Sequence, residues 1–352
     1  MPRLPRLLRS SKAVLAGLTL AGLLVAAGPA RAEGSTTTLL EGLSSPKGLS
    51  LAPGGDAVVG QGAFGPPGPL LRYSPGTDST SDLTEPANVI DVAVARGFGW
   101  ALGSDQALYR FDKDQVLEFV VSIAEYQLSD PDPTDLEGEP TTSNPYGLAA
   151  LRSGDALVTD AEGNDLLRVT PEGDITTVAR FDVEVVSTDH FPPEAGLPPE
   201  MPAEAVPTSV TVGRDGSIYV GELKGFPFRP GSSNIWKIDP DADGALCSTT
   251  TPDPDCTLFD DGFTAIQDIA IHSRSGSLYV YEFAADGVLA FEGGFESGEF
   301  PPAVLLEVNG DERTELVPGE LSQPGGVAVD STGLYVTDGL FGNGRLLRVD
   351  SD

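Results

Sequence analysis

One short phrase recurs along this chain and limits what it can fold into. It consists of an alternating run of β-branched or aliphatic residues, a turn, a second run that stops at an acidic or amide residue, and a third run. The clearest copy is Gln323-Pro324-Gly325-Gly326-Val327-Ala328-Val329-Asp330, then Gly333-Leu334-Tyr335-Val336-Thr337-Asp338, then Arg345-Leu346-Leu347-Arg348-Val349-Asp350. Others combine Pro46-Lys47-Gly48-Leu49 with Ala57–Gln61, Pro145-Tyr146-Gly147-Leu148 with Ala156–Asp160, and Ser209-Val210-Thr211-Val212 with Ile218–Glu222. Another joins Asp268–Ile271 to Leu278–Glu282 and takes Val288-Leu289-Ala290-Phe291 as its third run, and a degenerate copy spans Val92 to Phe111. Runs this short, closed by Gly, Asp, Asn or Pro, read as strands of antiparallel meanders. About six copies at a period of roughly 40 to 60 residues predict an all-β, six-bladed β-propeller.

The ends of the chain support a closed ring. Ser35-Thr36-Thr37-Thr38-Leu39-Leu40 is a strand with no neighbour in sequence, and the last copy stops after its third strand. A ring closes when one terminus supplies the strand missing from the blade at the other, which removes a free edge. Thr36 to Leu40 is therefore expected to be the outer strand of the last blade.

Before that strand, Arg3, Arg6, Arg9 and Lys12 precede an apolar run from Ala13 to Ala27, and Ala30-Arg31-Ala32 places small residues at a cleavage position. This is the pattern of a secretory signal, and the run is shorter than the roughly 20 residues that span a bilayer. The expectation is a signal peptide over residues 1–32, one propeller domain over 33–352, an extracytoplasmic location, and no membrane span after cleavage. Removing the five basic residues of the leader, which holds no acid, takes the net charge from −32 to −37. Such a surface repels phosphate backbones and attracts cations, which argues against nucleic-acid binding.

The two cysteines, Cys247 and Cys256, are expected to form a local disulfide in an oxidising compartment. Asp239-Pro240-Asp241-Ala242-Asp243-Gly244 has the alternating carboxylates and glycine that open a Ca²⁺ loop, with Asp239, Asp241 and Asp243 as candidate ligands. Thr250 stands where a bidentate Glu would complete it, and Asp253 and Asp255 are possible substitutes. Calcium is thus a candidate cofactor, against the simpler reading of an Asp-rich turn. Proline-rich spacers at residues 130–135 and 191–207 are expected to be surface loops without ladder strands.

The residues closing the second runs are Gln61, Asp160, Glu222, Glu282 and Asp338. In equivalent blades they repeat at one level around the axis. Two readings are open: a ring of ligand- or cation-binding groups, or side chains that each accept backbone N–H bonds in a turn. After Glu222, the loop Leu223-Lys224-Gly225-Phe226-Pro227-Phe228 offers two aromatic rings, either to stack on a ligand or to plug a gap between blades. His190 and His272 lack a partner nucleophile or acid, and no nucleophile-elbow, zinc-protease or phosphate-loop motif occurs.

Ala205-Val206-Pro207-Thr208-Ser209-Val210, Tyr219-Val220-Gly221-Glu222-Leu223 and Gly225-Phe226-Pro227-Phe228 resemble the ScyD/ScyE family of exported bacterial proteins. Leu43 to Leu49 and the closing Gln323–Gly326 with Leu334–Asp338 look like that family too, and more loosely the repeats are similar to NHL-type and gluconolactonase-like propellers. The resemblance covers nearly all of the mature chain and implies an exported propeller; it supplies no activity, and no lactonase ligand motif matches residue by residue. The favoured expectation is a non-enzymatic module that binds a small molecule or an extracytoplasmic protein. The alternative is a metal-dependent lactonase or esterase using the channel carboxylates, by fold analogy alone.

Overall fold

A computed structural model describes residues 29–31, 34–112 and 116–350. The leader expected over residues 1–32 falls almost wholly outside them. Six four-stranded antiparallel sheets follow one another around an axis. Blade 1 is Leu49–Leu51, Ala57–Val59, Leu71–Ser74 and Ser79–Asp82, and blade 2 is Val89–Ala95, Phe98–Gly103, Ala107–Phe111 and Glu118–Ser122. Blade 3 is Pro145–Ala150, Ala156–Asp160, Asp165–Val169 and Ile175–Phe181. Blade 4 is Pro207–Val212, Ile218–Glu222, Ser233–Ile238 and Cys256–Phe263, and blade 5 is Ile266–Ile271, Leu278–Glu282, Val304–Asn309 and Glu312–Leu316. In blade 6, Pro324–Asp330, Gly333–Asp338 and Asn343–Asp350 are joined by Ser35–Ser44 from the front of the chain. That strand pairs with Thr36 opposite Val349 and Thr38 opposite Leu347, the closure expected from sequence.

The core lies between blades. In Ala57-Val58-Val59, Val58 packs towards blade 2 with Val92 and Ala101, while Ala57 and Val59 pack towards blade 6 with Tyr335 and Leu346. Successive side chains point to opposite faces of a strand, so a sheet buried on both faces reads as a continuous apolar run. Comparable clusters fill the other four interfaces, which closes the ring. The inner strands approach so closely that a Cβ on Gly147 would lie 2.7 Å from the Thr208 carbonyl, and one on Gly326 2.5 Å from that of Lys47. Glycine is what permits this contact.

Two outer edges carry an extra parallel strand: Ala245–Cys247 beside blade 3, and Ala30–Arg31 beside blade 5. Arg31 pairs with Glu315 at 2.9 Å. A cut after Ala32 would remove that strand and return the blade 5 edge to solvent.

Two sequence expectations need correction. Val288-Leu289-Ala290-Phe291 is the start of a helix, Val288–Ser297, and the third strand of blade 5 is Val304–Asn309. Val288, Phe291 and Phe295 recur at helical spacing, so one face of the segment is apolar, a period that a four-residue window hides. The proline-rich insertion, in turn, does contain a ladder strand. Glu200–Ala203 pairs with Glu184–Ser187, with Pro202 opposite Val185. A two-stranded ribbon tolerates proline because each strand has a free edge.

Candidate binding face

Antiparallel alternation divides the connections between two faces. On one face the first-to-second turns are short, among them residues 52–56, 151–155 and 331–332. On the other lie the second-to-third loops and the crossings from each outer strand to the next inner strand. These contain every long insertion except 239–255: α1 (Ile123–Gln127), the 184–203 ribbon, loop 223–232, and α2 (Val288–Ser297). Long loops on a rigid scaffold are where binding residues concentrate.

The residues closing the second strands line this face from beneath, and each is buried and engaged by nearby backbone. Gln61 accepts from Ser44 N–H at 2.9 Å, Asp160 from Asn144 at 2.6 Å, Glu282 from Thr264 at 2.6 Å and Asp338 from Ser322 at 2.8 Å. In each case the donor belongs to the segment leading into the adjacent inner strand, so the side chain fixes where that strand begins. Asp160 accepts further from Glu162 and Gly163 N–H, and Asp338 pairs with Arg345 at 2.5 Å. Glu222 differs, accepting from Asn234 N–H at 3.1 Å and Trp236 Nε1 at 3.0 Å. In blade 2 the place belongs to Gly103. Among the described residues, no three His, Cys, Asp or Glu side chains come together as a metal-binding group. Burial pushes the Glu282 carboxyl up to about 8 and raises that of Asp160.

What does converge was not singled out from sequence. Five inner strands carry a register shift at their start, and a bulge re-aims side chains. Tyr146 of blade 3 and Gln267 of blade 5 are skipped residues of this kind, and Lys47 of blade 1 precedes its inner strand. The Lys47 ammonium donates to the Tyr146 carbonyl at 2.8 Å, lies 4.2 Å from the centre of the Tyr146 ring, and is 3.6 Å from the Asp91 carboxylate. Tyr146 Oη donates to Gln267 at 3.0 Å. Side chains from alternate blades can meet only on the axis, so this network crosses the channel, and all of its members are buried. Asp91 and Asp268 also latch neighbouring blades, accepting from Leu148 and Val327 N–H at 2.9 and 2.8 Å. Burial, reinforced by the Asp91 charge, pushes Asp268 up to about 7.

Blade 4 holds a second buried hub. Lys224 lies 2.6 Å from both Glu184 and Glu222. Burial opposes its charge, but the two carboxylates outweigh that and raise its pKa. Glu184 belongs to the ribbon, so this contact pins the insertion to the blade. His190 bonds to the Pro227 carbonyl at 2.9 Å and packs against Phe191, which meets Phe226 at 5.9 Å. Phe228 is buried in the apolar layer over the ring, and Phe226 is half-buried at its edge. His272 lies in a short turn on the opposite face, bonded to Ser275.

Farther round, α2 packs Phe291 and Phe295 against Phe300 and against Phe341 from blade 6. A hollow of about 270 Å³ opens between Phe295, Phe300 and Phe341. Reading Val288–Phe291 as a strand hides the helical face that carries Phe291 and Phe295.

Outside this face, Cys247 and Cys256 form the expected disulfide. Asp239, Asp241 and Asp243 are exposed on the same connection, and Asp239 accepts from Asp241 N–H at 2.8 Å. Asp253 accepts from Leu246 and Asp255 N–H. The Asp239 and Asp253 carboxylates thus each accept backbone N–H bonds in a turn.

No protein-family model and no curated protein matches this chain. Solved structures do. A gluconolactonase from Xanthomonas campestris aligns over 92% of this chain and 91% of its own at 14% identity and a TM-score of 0.55. Virginiamycin B lyase from Staphylococcus aureus aligns over 91% and 100% at 13% identity and 0.52. The PQQ-bound aldose sugar dehydrogenase from Streptomyces coelicolor aligns over 92% and 100% at 14% identity and 0.50. At such identities the likeness establishes the propeller fold and leaves chemistry to the residues.

Proposed function

We propose that this chain is an exported, non-enzymatic binding propeller of the ScyD/ScyE type that meets a small molecule or an extracytoplasmic protein on its insertion-bearing face. The observation that carries the reading is the commitment of Asp160, Glu222, Glu282 and Asp338 to bonds within the fold. Carboxylates so engaged are poorly placed to share an ion or activate water, whereas α1, the 184–203 ribbon, loop 223–232 and α2 gather on one face. The Cys247–Cys256 disulfide fits an oxidising compartment, and among the described residues no helix is long and apolar enough to cross a membrane.

The competing reading is a metal-dependent lactonase, favoured by the likeness to the gluconolactonase fold. Hydrolysis of glucono-δ-lactone and 4-nitrophenyl acetate, measured with calcium or zinc and again after chelation, separates the two. The expected result is no turnover above background. Metal-dependent turnover lost in Glu222→Gln or Asp160→Asn would overturn the binding reading.

A further inference from the structure

We propose that the hollow between α2 and the second-to-third turn of blade 6 binds one neutral aromatic ring. This rests on the binding reading above and gives that reading a ligand class. The walls are Phe295, Phe300 and Phe341. Phe295 stands edge-on to both others, with ring centres 5.0 Å away and planes at 89° and 83°. Aromatic rings prefer such edge-to-face and offset contacts, so a guest ring can continue the same herringbone. Phe341 is itself backed by Phe64, stacked at 5.1 Å, which holds that wall in place.

The lining also limits the guest. In a protein of net charge −32, no charged side chain lines the hollow. Burying an ion there would go uncompensated, so the guest is neutral. Side-chain polar groups come from two amides. Gln323 accepts weakly from Phe341 N–H at 3.3 Å, and the Asn343 side chain makes no hydrogen bond among the described residues. Two amides can serve one or two polar substituents. They match a sugar poorly, since it carries a hydroxyl on nearly every carbon. The size is adequate, since an apolar cavity of about 150 Å³ already takes up benzene. Gly294 lets the Phe300 wall pack against α2, because a Cβ there would lie 2.5 Å from the Phe300 ring.

The test is ligand-observed NMR titration of the full chain with benzyl alcohol, with N-acetylphenylalanine amide, and with glucose. Gly342→Phe is the blocking variant. It lies at the rim with open space where its Cβ would be and without a positive φ, so the fold accommodates it. Phe295→Ala removes the most exposed wall, already 39% accessible. Both aromatic probes are expected to bind and glucose to give no signal. Affinity should fall at least tenfold in Gly342→Phe, which should melt like the parent, and severalfold in Phe295→Ala, which should melt somewhat lower because it loses ring contacts with Phe291, Phe300 and Phe341. The tighter probe tells whether the ring arrives free or on a peptide. Failure of both aromatic probes to bind, binding unchanged in Gly342→Phe, or glucose binding that Gly342→Phe abolishes would each overturn the proposal. Lactone turnover alongside intact ring binding would instead sink the non-enzymatic reading and leave this site standing.

Discussion

Lys47 shows most directly how single side chains hold the centre of this molecule. Its ammonium is buried between the Tyr146 carbonyl and the Asp91 carboxylate. Removing one partner of a buried ion pair leaves an uncompensated charge, at a cost of about 3–5 kcal/mol. Lys47→Met should lower the unfolding free energy by that amount in denaturant titration. Adding Asp91→Asn should recover part of it, because the amide oxygen can still accept from Leu148 N–H. Two other carboxyls set a pH dependence. Glu282 and Asp268 are raised to about 8 and about 7, chiefly by burial. Between their ordinary carboxylate range and those values, the folded state holds more protons than the unfolded one. Their contribution is therefore fully present in acid and is lost as pH rises towards 7 and 8, with a slope of at most about 1.4 kcal/mol per unit for each group. Thermal melts from pH 5 to 8 should show a decline that flattens in Glu282→Gln and Asp268→Asn; an unchanged slope would refute the assignment.

At the level of elements, α2 depends on close contact between a helical glycine and an aromatic ring. Gly294→Val should displace Phe300 and cost about 1–3 kcal/mol by overpacking, seen as a lower melting temperature together with loss of aromatic-probe binding. The 239–255 connection depends on its disulfide. The bridge closes a short loop, and beside it Ala245–Cys247 adds a strand to the edge of blade 3. Replacing both cysteines with alanine should cost about 2–3 kcal/mol. It should also raise hydrogen exchange at Ala179 to Phe181, whose pairing with that strand is the contact at risk.

For the whole molecule, closure is the decisive event. Ser35–Ser44 binds the last strand of the chain, and without it blade 6 would present an unpaired edge. A chain beginning at Ser45 should be insoluble or should associate through that edge, whereas a circular permutant that joins Asp350 to Ser35 through a short linker should fold and melt close to the parent. Size-exclusion chromatography and thermal melts distinguish these outcomes.

The sequence by itself determined the number of blades, the closing strand, the disulfide and the position of the second-strand acids. All of these follow from local alternation and spacing, which a strand's period of two writes directly into the chain. The axis was not legible, because Lys47, Tyr146 and Gln267 lie far apart in sequence and are ordinary residues within their own repeats. Only stacking the blades makes them neighbours. Nor was it legible that Asp160 and Asp338 hold strand lead-ins, since a carboxylate at a turn looks the same whether it faces a cation or a backbone N–H. The aromatic hollow lay beyond reach for a further reason. Val288 to Phe291 suits a strand or a helix equally well over four residues, and tertiary packing against Phe300 and Phe341 made it a helix.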